Sequence, residues 1–237
     1  MPIIQGSISI IVTHWAQNAF RSETLRRCMQ SLIATTLSAP CEILVVDNGE
    51  NWDDSMYLLS LAQDKKIEFY LRNARNMHFG HARNQAILLS SGENLVISDN
   101  DIEYQQGWVE ACLEVLTEYP LKKYLATPLS VDRIHRQPQY WKGEIETKSK
   151  NWFLNMRAGS NSFMVRRKDF EEIGWFRRHR IAGSHWNNAF QDLGYIVASP
   201  DTAPLAQDIG FKQGYNHKQD VPIEKIFTNG SRVGINS

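Results

Sequence analysis

The sequence predicts an α/β protein: a doubly wound, mostly parallel sheet with helices on both faces, in a single domain. Three observations carry this expectation. Short apolar, β-branched runs alternate with segments of helical period over roughly the first 120 residues. Successive runs are separated by enough chain for a helical crossover, which right-handed connection makes parallel. Three of the runs end in polar tripeptides, Thr13-His14-Trp15, Asp47-Asn48-Gly49 and Asp99-Asn100-Asp101. These lie at the carboxyl edge, where open α/β sheets bind ligands.

The elements follow in order. Ile8–Val12 is a strand, and Glu23–Leu37 is a helix with Leu25, Cys28 and Leu32 at helical spacing, Ser22 as its N-cap and Ser38-Ala39-Pro40 as its stop. Cys41–Val46 is a second buried strand, Asp54–Gln63 a helix, Ile67–Leu71 a strand and Gly80–Ser90 a helix. Asn94–Ser98 is the fourth strand and Trp108–Thr117 the fourth helix. Beyond that the period weakens. Tyr124–Thr127, Ser162–Val165 and Tyr195–Ala198 read as strands, Lys168–Ile173 and Trp186–Leu193 as helices, and 131–156 as a long loop or hairpin. We therefore expect a ligand-binding half over residues 1–120, a second half over 121–215 and a tail or lid over 216–237.

Composition narrows the function. In 237 residues, 42% are hydrophobic and 22% charged, which excludes disorder as the main description. Lys+Arg and Asp+Glu are both 26, without the basic excess a nucleic-acid partner would call for. No apolar run nears the ~20 residues of a membrane span. The N terminus lacks the pattern of a signal peptide, although peripheral membrane contact stays open. Cys28, Cys41 and Cys112 are an odd number without CxxC spacing, so the expected setting is reducing and cytoplasmic.

Three segments carry candidate chemistry. Asp99 and Asp101 follow the apolar Leu95-Val96-Ile97, so two carboxylates at i and i+2 can reach one hard cation, Mg²⁺ or Mn²⁺. An acidic turn without metal is the competing reading. Asp47 ends another strand and can accept a base N–H or a ribose hydroxyl, or simply close an Asp-Asn-Gly turn. In Asn76–Asn84, Gly80 allows close backbone approach, the following helix presents free N–H groups, and Arg83 can pair with a diphosphate or an acidic neighbour.

Taken together, these segments resemble the family 2-type glycosyltransferases of the GT-A fold. The family's opening turn corresponds to Val12-Thr13-His14-Trp15, without its usual Pro, and its "VVDDGS" to Val45-Val46-Asp47-Asn48-Gly49-Glu50. Its "N-x-G-F-x-x-A-x-N" corresponds to Asn76–Asn84 with His78 in place of Gly, and its DxD segment to Gly92–Asp101. "P-G-W" corresponds to Gln106-Gly107-Trp108. The resemblance spans residues 7–200. It implies a nucleotide-sugar donor, with a UDP-sugar and UDP-glucose as first trial, and a glycan or small hydroxyl acceptor. Thr13, His14, Trp15 and Asp47 would hold the nucleoside. Arg83 would sit near the base or diphosphate, and Asp99 and Asn100 at the ribose. Asp99 and Asp101 would ligate the metal, with Asp101 counted as catalytic. Gly159-Ser160-Asn161 matches the turn beside the donor sugar, and Trp186 is assigned to the sugar or acceptor.

Two departures from the family pattern matter. Inverting members place a carboxylate base where this chain has Gly183, and no carboxylate occurs between Glu172 and Asp192. Either His185 is a substitute base, or the reaction retains configuration with the leaving phosphate taking the proton, or catalysis is lost. The family's C-terminal His ligand is also missing: Gln207 stands in its place before Asp208-Ile209-Gly210, leaving His217 as the substitute ligand. A nucleotidyltransferase is disfavoured because Thr13–Gln17 contains no Gly, and a dehydrogenase because no GxGxxG follows the first strand.

Overall fold

The computed structural model describes residues 2–15, 18–36, 39–49, 51–118, 123–128, 144–146, 151–155, 162–177, 182–200, 205–212, 215–216 and 221–222. Gly159, Ser160 and His217 lie outside the described residues, as does most of 131–156. His185 is in a described helix, but its side chain lies outside the description.

The sequence alternation becomes β1 (Ile4–His14), α1 (Ala19–Thr36), β2 (Cys41–Asp47), α2 (Trp52–Gln63), β3 (Phe69–Arg72), α3 (Phe79–Leu89) and β4 (Gly92–Asp99). Next come β5 (Ile102–Tyr104), α4 (Trp108–Glu118), β6 (Tyr124–Ala126), β7 (Glu144–Glu146), β8 (Asn151–Asn155) and β9 (Ser162–Arg166). The chain continues through α5 (Arg167–Ile173), α6 (Ala182–Asp192), β10 (Ile196–Pro200) and β11 (Ala206–Asp208). Short strands β12 (Phe211–Lys212), β13 (Tyr215–Asn216) and β14 (Val221–Pro222) form a small sheet of their own.

The main sheet has nine strands in the order β3-β2-β1-β4-β9-β6-β10-β8-β7. Its β1–β2, β1–β4, β2–β3 and β6–β10 pairs are parallel, while β9 and β8 run against their neighbours. The fold class is therefore as expected, a mixed sheet with one prevailing direction. β1 is central: the chain builds outward to β2 and β3, then returns to place β4 on β1's other side. That reversal is a topological switch point, and the crevice it opens lies at the carboxyl ends of β1 and β4.

Strand periodicity explains why the runs are mostly apolar rather than alternating. In β1, Ile8, Ile10 and Val12 enter one core with Leu25, Cys28, Met29 and Leu32 of α1 and Trp108, Cys112 and Val115 of α4. Ile11 enters the other, with Ala82, Ala86 and Ile87 of α3 and Phe170, Trp186 and Phe190 from α5 and α6. β2 splits the same way, Ile43 and Val45 against Leu44 and Val46. Successive side chains point to opposite faces, so a strand covered on both sides is apolar at most steps; the buried exception in β1, Ser9, donates its hydroxyl to Glu42 Oε1 at 2.5 Å. Each fully buried Ile, Leu or Phe contributes about 1.5–3 kcal/mol.

Some local expectations are corrected. Ser22 is not the N-cap of α1. The helix begins at Ala19, where Asn18 Oδ1 accepts the Arg21 N–H at 3.1 Å, and Ser22 is an interior residue donating to Asp54 Oδ2 at 2.7 Å. The short strands β5 and β11 were not foreseen. They pair antiparallel, with Asp208 opposite Ile102 and Ala206 opposite Tyr104. Within 131–156, the hairpin alternative is realised where the chain is described: β7 pairs with β8, and β8 with β10.

Candidate active site

The carboxyl ends of β1, β2 and β4 meet in register: Thr13 stands opposite Asp99, and His14 opposite Asp47. This alignment collects the three sequence tripeptides at one edge of the sheet.

Asp99 ends β4 with its side chain 24% exposed, and its Oδ1 accepts from Arg83 Nη2 at 2.7 Å. Arg83 comes from the second turn of α3 and is 1% exposed. Its guanidinium lies 4.8 Å from the Phe79 ring and 5.3 Å from that of Phe176. Burial pushes the guanidinium's pKa down, and the charge and hydrogen bond of Asp99 oppose that shift. Arg83 is thus directed onto the first carboxylate of the Asp pair.

Asp101 is buried. Its carbonyl accepts the Ile209 N–H at 2.8 Å, so the β5–β11 pairing folds residues 208–210 over it. A Cβ at Gly210 would fall 2.1 Å from Asp101 Oδ2; the carboxylate occupies the space that a side chain there would need. Asp208 Oδ1 accepts the Gly210 N–H at 2.9 Å and holds this approach. Gln207, in the family's His position, is exposed and opposite Glu103.

Asp47 is 1% exposed and its carboxylate is satisfied from within the protein. Oδ1 accepts the Gly49 N–H at 2.8 Å, while Oδ2 accepts from Ser55 Oγ at 2.5 Å and Tyr70 OH at 3.0 Å. Arg72 Nε lies 3.8 Å away. Burial, joined by the charge of Asp47, pushes the Tyr70 phenol up to about 12. Gly49 has φ +82, and a Cβ there would strike the Asn73 carbonyl at 2.1 Å, so this turn requires glycine. Asn48 turns inward as well, accepting from Asn73 Nδ2 and the Met77 N–H.

Two of the expected contacts are corrected. His14 is not turned to a nucleoside: it is 1% exposed, with Nδ1 2.9 Å from Asn100 Nδ2 and Nε2 3.2 Å from Asp54 Oδ2. Trp186, assigned to the sugar or acceptor, is instead turned into the core. It is buried, its indole N–H donates to the Gly174 carbonyl at 2.8 Å, and its ring lies 4.9 Å from Phe163 and 5.2 Å from Phe176. A lone aromatic beside polar residues looks exposed in sequence; here an aromatic cluster absorbs it. Trp15, by contrast, stays at the edge. Its carbonyl accepts from Arg21, and among the described residues its buried indole N–H finds no acceptor.

Asp54, Ser55, Tyr70 and Arg72 were missed in the sequence reading. They come from α2 and β3, and no local pattern marks a residue that supports another across 8 to 40 positions of chain.

Asp99 and Asp101 fit a hard divalent cation by their chemistry: two carboxylates are the usual protein share of a Mg²⁺ or Mn²⁺ set completed by phosphate oxygens and water. Among the described residues no group of three or more His, Cys, Asp or Glu is placed to hold a metal. Among the described residues, a cation here would rest on this pair; His217 lies outside them.

Comparison with known proteins agrees with this architecture. The profile of Glycosyl transferase family 2 matches residues 9–174, and the chain belongs to that family. It is 27% identical over 153 residues to a Drosophila melanogaster protein named as an inactive polypeptide N-acetylgalactosaminyltransferase 12, a match covering 58% of this chain and 26% of that protein. The chain thus spans about a quarter of that relative's length. Among solved structures it resembles GalNAc-T7 with UDP, GalNAc and Mn²⁺ at TM-score 0.64 and 14% identity, covering 85% of this chain and 43% of the other. It resembles S. aureus TarS 1-349 in complex with UDP-GlcNAc at TM-score 0.58 and 13% identity, covering 85% and 58%. It also resembles the mannosyltransferase PcManGT of Pyrobaculum calidifontis in complex with GDP-Man and Mn²⁺, at TM-score 0.65 and 16% identity, covering 90% and 59%. These likenesses establish the GT-A fold. No helix among the described residues is long and apolar enough to cross a membrane.

Proposed function

We propose that the protein is a metal-dependent glycosyltransferase that moves a sugar from a nucleoside diphosphate donor to a glycan or small hydroxyl acceptor. The observation that carries this reading is the pair Asp99 and Asp101 at the switch-point edge, the first held by buried Arg83 and the second folded under Gly210. The solved neighbours support a nucleotide-sugar donor: they hold UDP, UDP-GlcNAc and GDP-Man. A UDP-sugar is the first donor to test, UDP-glucose first among them.

Asp99 and Asp101 would hold Mn²⁺ or Mg²⁺. When bound, the ion neutralises charge on the diphosphate as the sugar departs. Arg83 holds Asp99 in place, and the indole N–H of Trp15 is a donor available to the nucleoside at the same edge. In our reading the configuration is retained. The acceptor oxygen bonds to the anomeric carbon on the face where the carbon–oxygen bond to phosphate breaks, and the departing phosphate oxygen takes the acceptor's proton. The absence of a carboxylate from residue 173 to 191 supports this. His185, in the first turn of α6, is the base of the inverting alternative.

The same absence, together with the match to a relative named inactive, favours a second reading: a nucleotide-sugar binding module without transfer activity. Release of free nucleotide from a donor panel with Mn²⁺, but not with EDTA, supports the enzyme; binding without release supports the module. Proton NMR of the first-formed product from an α-linked donor decides the stereochemistry. A β-linked product, lost in His185→Ala, would make His185 the base. For location, three free cysteines, two of them buried, support a reducing compartment such as the cytoplasm.

A further inference from the structure

His14 and Asp54 form a buried link whose far end lies in the acidic turn. Asn100 Nδ2 can only donate, so at 2.9 Å His14 Nδ1 must be the bare acceptor, and the ring proton sits on Nε2, facing Asp54 Oδ2 at 3.2 Å. Asp54 has no exposed side-chain surface. It also receives Ser22 Oγ at 2.7 Å and Arg26 Nη1 at 3.1 Å, and Ser22 Oγ accepts from Asn51, the N-cap of α2, at 3.0 Å. A continuous line of hydrogen-bonding and charged groups thus runs from α1 and α2, past the end of β1, to the middle residue of Asp99-Asn100-Asp101.

We propose that His14 and Asp54 are positioning residues for the cation site, an inference that rests on reading Asp99 and Asp101 as its ligands. Asp54 selects the tautomer and fixes the ring of His14. His14 then fixes the Asn100 side chain, and Asn100 sets the turn from which the two carboxylates project. Both carboxylates flank the same residue, so a rotation at Asn100 would misdirect them together. Ligand-bearing segments held by an outer layer of hydrogen bonds depend on that layer for affinity.

A network that merely joined β1 to α2 would affect stability alone, and two variants separate the roles. In His14→Asn the side-chain oxygen falls near the position of Nδ1, keeping an acceptor for Asn100 while losing Asp54. In His14→Gln the amide reaches toward Asp54 and leaves Asn100 without its acceptor. Mn²⁺ affinity of the full chain, without any donor, is read by electron paramagnetic resonance of the free ion, alongside the melting temperature. We expect His14→Asn to bind within about twofold of wild type and His14→Gln to bind about tenfold more weakly. Asn100→Ala should weaken binding as much as His14→Gln, and the double variant no more than either. Equal Mn²⁺ affinity in the two His14 variants at similar melting temperatures would overturn the proposal. Should His14→Gln fail to fold, unchanged affinity in Asn100→Ala overturns it, because that variant leaves the His14–Asp54 contact standing. Wild type that binds no Mn²⁺ would overturn the cation reading and this inference with it, a result distinct from a wild type that binds and variants that are indifferent.

Discussion

Arg83 and Asp99 meet at 2.7 Å in a setting where the cation is buried and the anion is partly open to the crevice. Among the described contacts of the arginine are this carboxylate and two aromatic rings. A buried charge is tolerated best while its partner is present, so loss of the carboxylate is felt by the buried guanidinium, whereas a carboxylate left behind is partly open to water.

Arg83→Leu should therefore remove activity while costing little stability, because the leucine packs well against Phe79 and Phe176. Asp99→Leu should cost roughly 3 kcal/mol, since it removes the carboxylate 2.7 Å from a buried guanidinium. Urea unfolding of both variants checks the asymmetry; equal losses would show that the pair is not the dominant partner of Arg83.

Asp47→Asn should lower stability by about 1–3 kcal/mol, because its carboxylate accepts from a backbone N–H and two hydroxyls inside the fold. Calorimetry with a nucleoside diphosphate separates this from a role at the base. Affinity that falls tenfold in the still-folded variant would return Asp47 to the ligand; affinity unchanged would leave it a residue that shapes the turn.

Stability should depend on Asp54 in acid. Burial alone would raise its carboxyl pKa, but hydrogen bonds from His14 and Ser22 and the charge of Arg26 more than offset this and hold it below the ordinary value. A depressed folded pKa means that the unfolded chain binds the proton first as pH falls. The stabilisation is complete well above the unfolded value of about 4 and is lost as pH falls from there through the folded value. The difference in urea midpoint between wild type and Asp54→Asn should thus be constant from pH 7 to about 5 and shrink below 4. A difference that grows on acidification would contradict this.

His78→Gly should raise the melting temperature. His78 precedes α3 with φ 63 and ψ 152, a conformation that L side chains rarely adopt. Relief of strain of about 1–3 kcal/mol should exceed the roughly 0.5–1 kcal/mol of added unfolded-state freedom. A lower melting temperature would mean that the imidazole makes a stabilising contact large enough to offset the backbone.

The fold was legible wherever one segment contained its own signal. Both faces of β1, β2 and β4 are covered, so their apolar runs stand out, and α1 to α4 announce themselves by period. Asp99 and Asp101 were legible for the same reason, being polar residues directly after such a run. What escaped was support at a distance. Nothing around Asp54 tells that it faces His14, or around Gly210 that it covers Asp101, because those contacts exist only once β1 has met α2 and β5 has met β11. Trp186 misled because aromaticity alone does not separate a core residue from one that meets a sugar or acceptor. Ser22 misled because a good capping residue three positions inside a helix has the same local pattern as one at its start.

The β5–β11 pairing has a consequence for the order of assembly. Most of the sheet's parallel half, from β1 to β4, is encoded before residue 100, whereas the backbone that closes over Asp101 comes from residues 208–210. Chains emerge from the ribosome N-terminus first and at a finite pace. A nascent chain that stops short of β11 contains every strand of that half and both acidic residues, but not the segment that roofs the second. The acidic turn is thus sealed late in synthesis, and nascent or truncated forms are separated from the finished protein by this one missing cover.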